Sequence, residues 1–87
     1  MSLAFPNPSR SFDEVRNAVR FIGHDGMFEV PFFVEADALS GRAASTLSEA
    51  EYLSAFDKAR GSIHEVAREA YSHGRRSSYT LTSADFR

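Results

Sequence analysis

The segment around His64 carries the spacing that comes nearest to a metal-binding motif. His64-Glu65-Val66-Ala67-Arg68 begins like the zinc-protease sequence His-Glu-x-x-His, in which two histidines one helical turn apart bind one ion. The fifth position here is Arg68, a cation that repels a metal. His73 follows nine residues after His64, so it points to the opposite side of a helix. We therefore predict no metal site here, and no motif for another cofactor is present.

A second candidate for chemistry is His24 beside Asp25, since a histidine next to a carboxylate can act as a general base. These residues precede Gly26 at a predicted hairpin tip, which normally projects into water, so a role in the turn is favoured. The sequence contains no Gly-x-Ser-x-Gly elbow and no glycine-rich phosphate loop. We assign no catalytic residue, and an enzyme with a dispersed site is kept as the third functional hypothesis.

Five basic positions along one predicted helix and just beyond it could contact phosphate. Arg60, His64 and Arg68 lie at i, i+4 and i+8, and Arg75 and Arg76 continue the charge past the helix end. We call these five residues the basic ridge. A helix C-terminus favours cations for its own stability, and carboxylates at pairing distance interleave with the ridge: Asp57, Glu65 and Glu69. We favour a solvated surface, and nucleic-acid association through the ridge is the alternative function.

Composition limits the class of protein. The chain has 87 residues, a net charge of −2 and 43% hydrophobic residues, including eight Phe. It has no cysteine, which excludes disulfides, thiolate zinc sites and cysteine nucleophiles. With neither a signal-like N-terminus nor a membrane-length apolar run, we expect a cytoplasmic protein without a membrane partner. One domain over residues 1–87, with a mobile loop at about 40–46, fits this length.

Apolar alternation predicts strands, and their ends carry turn residues. Asp25-Gly26 predicts a type I′ hairpin turn, and Met27 to Val34 is the return strand. Pro31 cannot donate to a ladder, so this strand should lie at a sheet edge or carry a bulge. The remaining elements are three further strands and one helical turn: Ser11 to Val15, Val19 to Ile22, Ser78 to Thr82, and Glu35 to Leu39.

Ser48 and Glu51 have the spacing of a capping box, which starts a helix predicted from Glu49 to His73. Gly61 points away from its apolar stripe, so the helix either tolerates this residue, bends or splits near it, or meets another surface there. The predicted fold is α+β: an antiparallel sheet of three to four strands with one long α-helix packed on one face. In the expected core, three strand residues contact three helix residues. The strand residues are Phe28, Val30 and Phe32, and the helix residues are Phe56, Ile63 and Ala67.

The second face of the predicted sheet raises the question of self-association. Met27 and Phe33 lie on it among polar residues. If nothing covers this face, these side chains favour a homodimer. Leu3 and Phe5 of the N-terminal segment could cover it instead, and both alternatives stay open.

In its order of segments, the chain resembles the DUF1488 family of short bacterial proteins of unknown function. The matching segments cover essentially the whole chain: Leu3 to Pro6, Val19 to Phe21, Asp25-Gly26, Glu29 to Phe32, Phe56 to Ala67, and Asp85-Phe86. The resemblance implies a compact α+β domain and brings no catalytic residue, cofactor or partner. The leading hypothesis is a small non-enzymatic binding or accessory domain, with a homodimer as one candidate form.

Overall fold

Four strands form one mixed sheet in a computed structural model that describes residues 3–7, 9–40, 48–74 and 76–86. The strands are β1 (Arg10–Asp13), β2 (Ala18–Asp25), β3 (Phe28–Glu35) and β4 (Tyr79–Leu81), in the order β1-β2-β3-β4. The helices are α1 (Ala36–Ser40), α2 (Glu49–Lys58) and α3 (Arg60–Ser72), and a 3-10 turn covers Ser83–Phe86. The α+β class is confirmed. Residues 41–46 of the predicted mobile loop lie outside the described residues.

The last strand runs parallel to its neighbour, so the prediction of a wholly antiparallel sheet is wrong. β1, β2 and β3 pair antiparallel, whereas β4 pairs parallel to β3 through Phe32 and Tyr79. The reason is that α2 and α3 together cross the sheet once and return the chain from the C-terminal end of β3 towards the N-terminal end of β3. A strand that follows such a helical crossover must run in the same direction as the strand before it.

The β2–β3 hairpin turns one residue later than predicted. Asp25 ends β2 and pairs with Phe28, which leaves Gly26 and Met27 as the two turn residues. Gly26 has a φ of +62°, and neither Asp25 nor Met27 has a positive φ. A positive φ at the first central position alone is typical of a type II′ turn, in which glycine is favoured there. The predicted type I′ turn at Asp25-Gly26 is therefore wrong.

Pro31 has no backbone N–H group, and it lies at a position of β3 where neither neighbouring strand needs that group for a hydrogen bond. In an antiparallel pair of strands, hydrogen-bonded and non-hydrogen-bonded residue pairs alternate, and the pair that closes a two-residue hairpin is hydrogen-bonded. Pro31 opposite Ile22 is three pairs from the closing pair, so it belongs to a non-hydrogen-bonded pair and its backbone nitrogen points away from β2. On that side β4 covers only residues 32–34 of β3. The predicted edge position is thus correct for the half of β3 that contains Pro31, and wrong for the half that β4 covers.

The predicted long helix is divided in two at Ala59. The Ser48–Glu51 capping box is present and starts α2. Ala59 has φ −102° and ψ 10°, and its N–H is shared by the carbonyls of Ala55 and Phe56, which ends α2. Two shorter helices can follow the twisted sheet more closely than one straight rod. Gly61 follows the break, is exposed, and has open space where a side chain would be.

The core lies between one face of the sheet and the two longer helices. The largest fully buried side chains are Phe32, Phe56, Ile63, Leu81, Val19 and Val34. Phe28, expected in this core, is instead 75% exposed. It lies at the tip of the hairpin, directly opposite Asp25. No helix in the described ranges is long and apolar enough to cross a membrane.

Candidate functional site

His64, the central residue of the basic ridge, is packed as an aromatic side chain. Its ring stacks on Phe5 with 3.9 Å between centroids and 9° between planes, and Phe21 lies 5.8 Å away. Burial, followed by the charges of Arg60 and Arg68, lowers the pKa of His64 to about 4. At neutral pH the ridge therefore lacks a positive charge at its centre.

Arg60 and Arg10 share one carboxylate. The Asp57 Oδ1 accepts from the Arg60 Nη2 at 2.7 Å, and Asp57 Oδ2 accepts from the Arg10 Nη2 at the same distance. The hydrogen bond from Arg10 is the main reason why the pKa of Asp57 is lowered, with a contribution from Arg60. This cluster ties β1 to the α2–α3 junction, so Arg60 is already engaged within the fold.

Arg68 holds the N-terminal segment. Its Nε donates to the Leu3 carbonyl at 3.2 Å, and its guanidinium carbon lies 5.2 Å from the centre of the Phe5 ring. Arg76 is exposed beyond α3, and Arg75 lies outside the described residues. The described part of the ridge thus has two engaged arginines and an uncharged histidine, and none of these contacts supports nucleic-acid association.

His64 and Arg68 of the ridge form one wall of a groove that residues 3–5 fill. We call the set Phe21, Gly23, Phe32, His64 and Arg68 the N-terminal groove. Leu3 and Phe5 pack into it. The segment between them is held to β2 by two backbone hydrogen bonds of 2.8 Å, from Ala4 N–H to the His24 carbonyl and from His24 N–H to the Ala4 carbonyl.

Gly23 makes room for this segment. A Cβ at position 23 would lie 2.9 Å from Leu3 Cδ1 and 3.0 Å from Phe5 Cε1, closer than carbon atoms pack without strain. A single glycine within a strand is a known sign of close approach by another part of the chain. Together with the alternating Leu3-Ala4-Phe5 sequence, it was the signal for this groove that sequence reasoning did not use.

The tip of the β2–β3 hairpin carries two of the large apolar side chains that are exposed among the described residues. Met27 is 98% exposed, and Phe28 projects beside it. An open cleft of about 220 Å³ lies alongside, lined by Phe28, Glu29, Val30, Tyr71, Arg76 and Ser77. We call Met27, Phe28, Glu29, Tyr71 and Arg76 the hairpin-tip surface.

Asp25, which we placed in the turn, holds this tip against the helix. Its Oδ2 accepts a hydrogen bond of 2.5 Å from the Tyr71 hydroxyl on α3. His24 beside it is half-buried and occupied by the backbone bonds to Ala4. The Asp25 carboxylate therefore contacts α3, and the backbone of His24 holds the N-terminal segment.

A second cleft, of about 290 Å³, lies at the end of α3. It is lined by Ala70, His73, Gly74, Arg76, Tyr79, Thr80, Leu81 and Asp85. The Tyr79 hydroxyl donates to the Gly74 carbonyl and accepts from the Arg76 N–H, so it links β4 to residues that follow α3. Within the described residues, no group of three or more histidine, aspartate or glutamate side chains is arranged to hold a metal ion.

Met27 and Phe33, proposed from the sequence as a self-association surface, are separated in the fold. Met27 lies in the turn, whereas Phe33 is only 7% exposed on the outer face of β3. The Arg16 guanidinium lies 4.2 Å above the Phe33 ring and covers it. Leu3 and Phe5 lie on the helix side of the sheet and therefore do not cover this outer face.

Comparison with known proteins gives a family and a related fold. A family model described as a protein of unknown function (DUF1488) matches residues 3–82. A crystal structure of a protein of unknown function from this family, from Shewanella loihica PV-4, has a TM-score of 0.79 at 19% identity. The match covers 92% of this chain and 91% of that one. No curated protein matches the sequence.

Proposed function

This chain belongs to the DUF1488 family of proteins of unknown function, and we propose that it is a small non-enzymatic binding domain. The proposed binding site is the hairpin-tip surface, and the proposed occupant is a partner protein that presents apolar side chains beside a carboxylate. The observation that carries this proposal is the exposure of Met27 and Phe28 on a tip that is fixed to the fold.

Apolar side chains at the tip favour association. Transfer of a Met or Phe side chain from water into an interface contributes about 1.5–3 kcal/mol. The tip is held by eight cross-strand pairs and by the Asp25–Tyr71 hydrogen bond, so little ordering is needed before a partner binds. A rigid apolar anchor is the type of feature that dominates binding energy in protein interfaces.

Arg76 supplies the polar part of the proposed recognition. It lines the cleft beside Phe28, and the ion pairs found among the described residues do not include it. A partner carboxylate near this guanidinium would add a charge-assisted hydrogen bond and fix the orientation of the apolar contact. We therefore expect binding to weaken with added salt, though less than a contact made only by charges.

The test compares capture of cellular proteins by variants of one bait. The Met27→Ser/Phe28→Ser bait should lose proteins that the unaltered chain retains. Val15→Ser is the matched control, since Val15 is 97% exposed at the β1–β2 turn, away from this surface. Proteins retained by the Val15 variant and lost by the tip variant support the proposal. Equal capture by all three baits would refute it.

We also propose that the protein is located in the cytoplasm. The absence of cysteine is compatible with a reducing bacterial cytoplasm, and cell fractionation tests this location.

We also propose a homodimer. Light scattering of the purified chain over a range of concentrations should show a mass approaching twice that of one chain. A mass that stays at one chain throughout would contradict the homodimer.

A further inference from the structure

We propose that the partner at the hairpin-tip surface binds as an extended peptide segment, which adds a short strand to the free part of the β3 edge beside Arg76. This inference rests on the proposed function, because it names the form in which the same surface recognises its partner. The peptide carries apolar side chains at alternate positions and one acidic residue. A folded protein surface and a second copy of this chain are the alternatives that the experiments below distinguish.

β4 covers only part of the edge of β3. β3 runs from Phe28 to Glu35, whereas β4 pairs with residues 32–34. Within the described part of the chain, residues 28–31 have no strand on that side. A strand edge without a neighbour presents backbone donors and acceptors to solvent, and an extended peptide can pair with them.

Glu29 presents both of its backbone groups at this free edge. Asp25 and Phe28 form the hydrogen-bonded pair that closes the hairpin, so Glu29 belongs to the next pair, which is not hydrogen-bonded. Its N–H and C=O therefore point away from β2, and the backbone bonds found among the described residues outside helices and strands do not use them. An antiparallel peptide with one residue opposite Glu29 would exchange two hydrogen bonds with it.

The chain leaves an open cleft beside this edge instead of extending β4 along it. Arg76 and Ser77 precede β4, and they line the cleft of about 220 Å³ together with the first residues of β3. The Arg76 N–H donates to the Tyr79 hydroxyl at 3.0 Å, so it is not paired with β3. The space next to Glu29 is therefore available to another chain, in contrast to the N-terminal groove, which residues 3–5 fill.

The side chains at the cleft define the chemistry of the peptide. Phe28 is 75% exposed, and Val30 and Tyr71 line the same cleft, so an apolar side chain that enters it gains buried contact. Side chains alternate between the two faces of a strand, so apolar residues should recur at every second position. Arg76 is absent from the ion pairs found among the described residues and favours a carboxylate in the peptide. The Glu29 carboxylate also lines the cleft and repels a run of acidic residues, so we expect one.

The experiment selects short random peptides displayed on phage against the purified chain. Peptides that also bind the Met27→Ser/Phe28→Ser chain are removed, and the selected peptides are synthesised for measurement of Kd by fluorescence anisotropy. We expect enriched sequences with apolar residues at alternate positions and one Asp or Glu. A selection that enriches no peptide over the Met27→Ser/Phe28→Ser chain would overturn the inference.

Two variants at position 29 distinguish the backbone from the side chain. Glu29→Pro removes the N–H at the free edge and leaves the β2 pairing intact, as Pro31 does two positions further on. Glu29→Ala is the matched control, because it loses the same carboxylate and keeps the N–H. The selected peptide should bind Glu29→Pro at least about tenfold more weakly than Glu29→Ala, since a peptide carbonyl loses its donor. Equal Kd values for the two folded variants would contradict strand addition.

Hydrogen exchange of the unaltered chain gives an answer that does not depend on the folding of Glu29→Pro. The Glu29 amide should exchange rapidly in the free chain and at least about tenfold more slowly with saturating peptide, as measured by NMR. The Val30 amide faces β2 and is the internal reference. Exchange at Glu29 that the peptide leaves unchanged would overturn the inference. Slowing that grows with chain concentration in the absence of peptide would place a second copy on this edge instead.

Protein capture with the same variants separates this inference from the proposed function. Suppose that the Met27→Ser/Phe28→Ser bait loses cellular proteins that Glu29→Pro and Glu29→Ala both retain. The partner then binds the tip as a folded surface without adding a strand, and only the inference is wrong. If the tip bait retains every protein while the selected peptide still protects the Glu29 amide, the edge binds peptides and the proposed function of the tip is wrong.

Discussion

Replacing Gly23 with alanine tests whether β2 needs a glycine at this position to leave room for the N-terminal segment. The new Cβ would lie 2.9 Å from Leu3, 3.0 Å from Phe5 and 3.1 Å from Phe32, about half an ångström or more inside the optimal carbon–carbon distance. Such overpacking costs about 1–3 kcal/mol, and removing a strand glycine returns about 0.5–1 kcal/mol. We expect a net loss of about 1–2 kcal/mol, which lowers Tm by roughly 4–16 °C in a domain of this size.

The assay is thermal unfolding of Gly23→Ala in two backgrounds. In the Leu3→Ala/Phe5→Ala background two of the three crowding contacts are gone and only Phe32, at 3.1 Å, remains, so the loss from the same substitution should fall to near zero. This reduction in the loss distinguishes a filled groove from a general intolerance of substitution in β2. An equal loss in both backgrounds would refute the reasoning, as would a higher Tm in the otherwise unaltered chain.

Three further substitutions test the packing and the electrostatics. Phe56→Ala should cost about 3–5 kcal/mol in chemical denaturation, because its fully buried ring lies 5.1 Å from that of Phe21; an unchanged midpoint would contradict this packing. Gly61→Ala should raise stability by about 0.5–1 kcal/mol, whereas the control Gly26→Ala should lower it because φ there is +62°; equal effects would contradict the assignment. The pKa of His64 is about 4 in the folded chain and 6.5 without its surroundings, so the unfolded chain binds the extra proton between these values. Its contribution to stability is present above pH 6.5 and is lost as pH falls towards 4. His64→Gln should therefore show a smaller fall in Tm over this range, and parallel curves for the two proteins would contradict it.

Features set by neighbouring residues were predictable from the sequence. Ser48 and Glu51 act through backbone groups three residues apart, so the start of α2 follows from their spacing alone. Period-two alternation likewise identified β3. The hairpin was placed one residue early because Asp25-Gly26 is a strong turn signal locally. In the fold, the bond from Tyr71 engages Asp25 at the end of β2, a contact that no local pattern reveals.

Features set by distant residues were not predictable in this way. The direction of β4 depends on where α3 ends, and no residue of Tyr79–Leu81 carries that information. His64 was interpreted as part of a basic surface because its helical neighbours are arginines. Its uncharged state results from burial against Phe5, which lies 59 positions earlier in the sequence.

The parallel pairing of β3 with β4 also sets the order in which the protein can fold during synthesis. Tyr79 meets Phe32 across 47 positions of sequence, whereas the β2–β3 hairpin closes through two turn residues. Because long-range contacts form slowly, the β1–β3 meander can assemble while the chain is still growing, and the sheet waits for its fourth strand. Until residues 79–81 emerge from the ribosome, Phe32 lacks its contact with the Tyr79 ring, and a nascent chain exposes that part of the β3 edge.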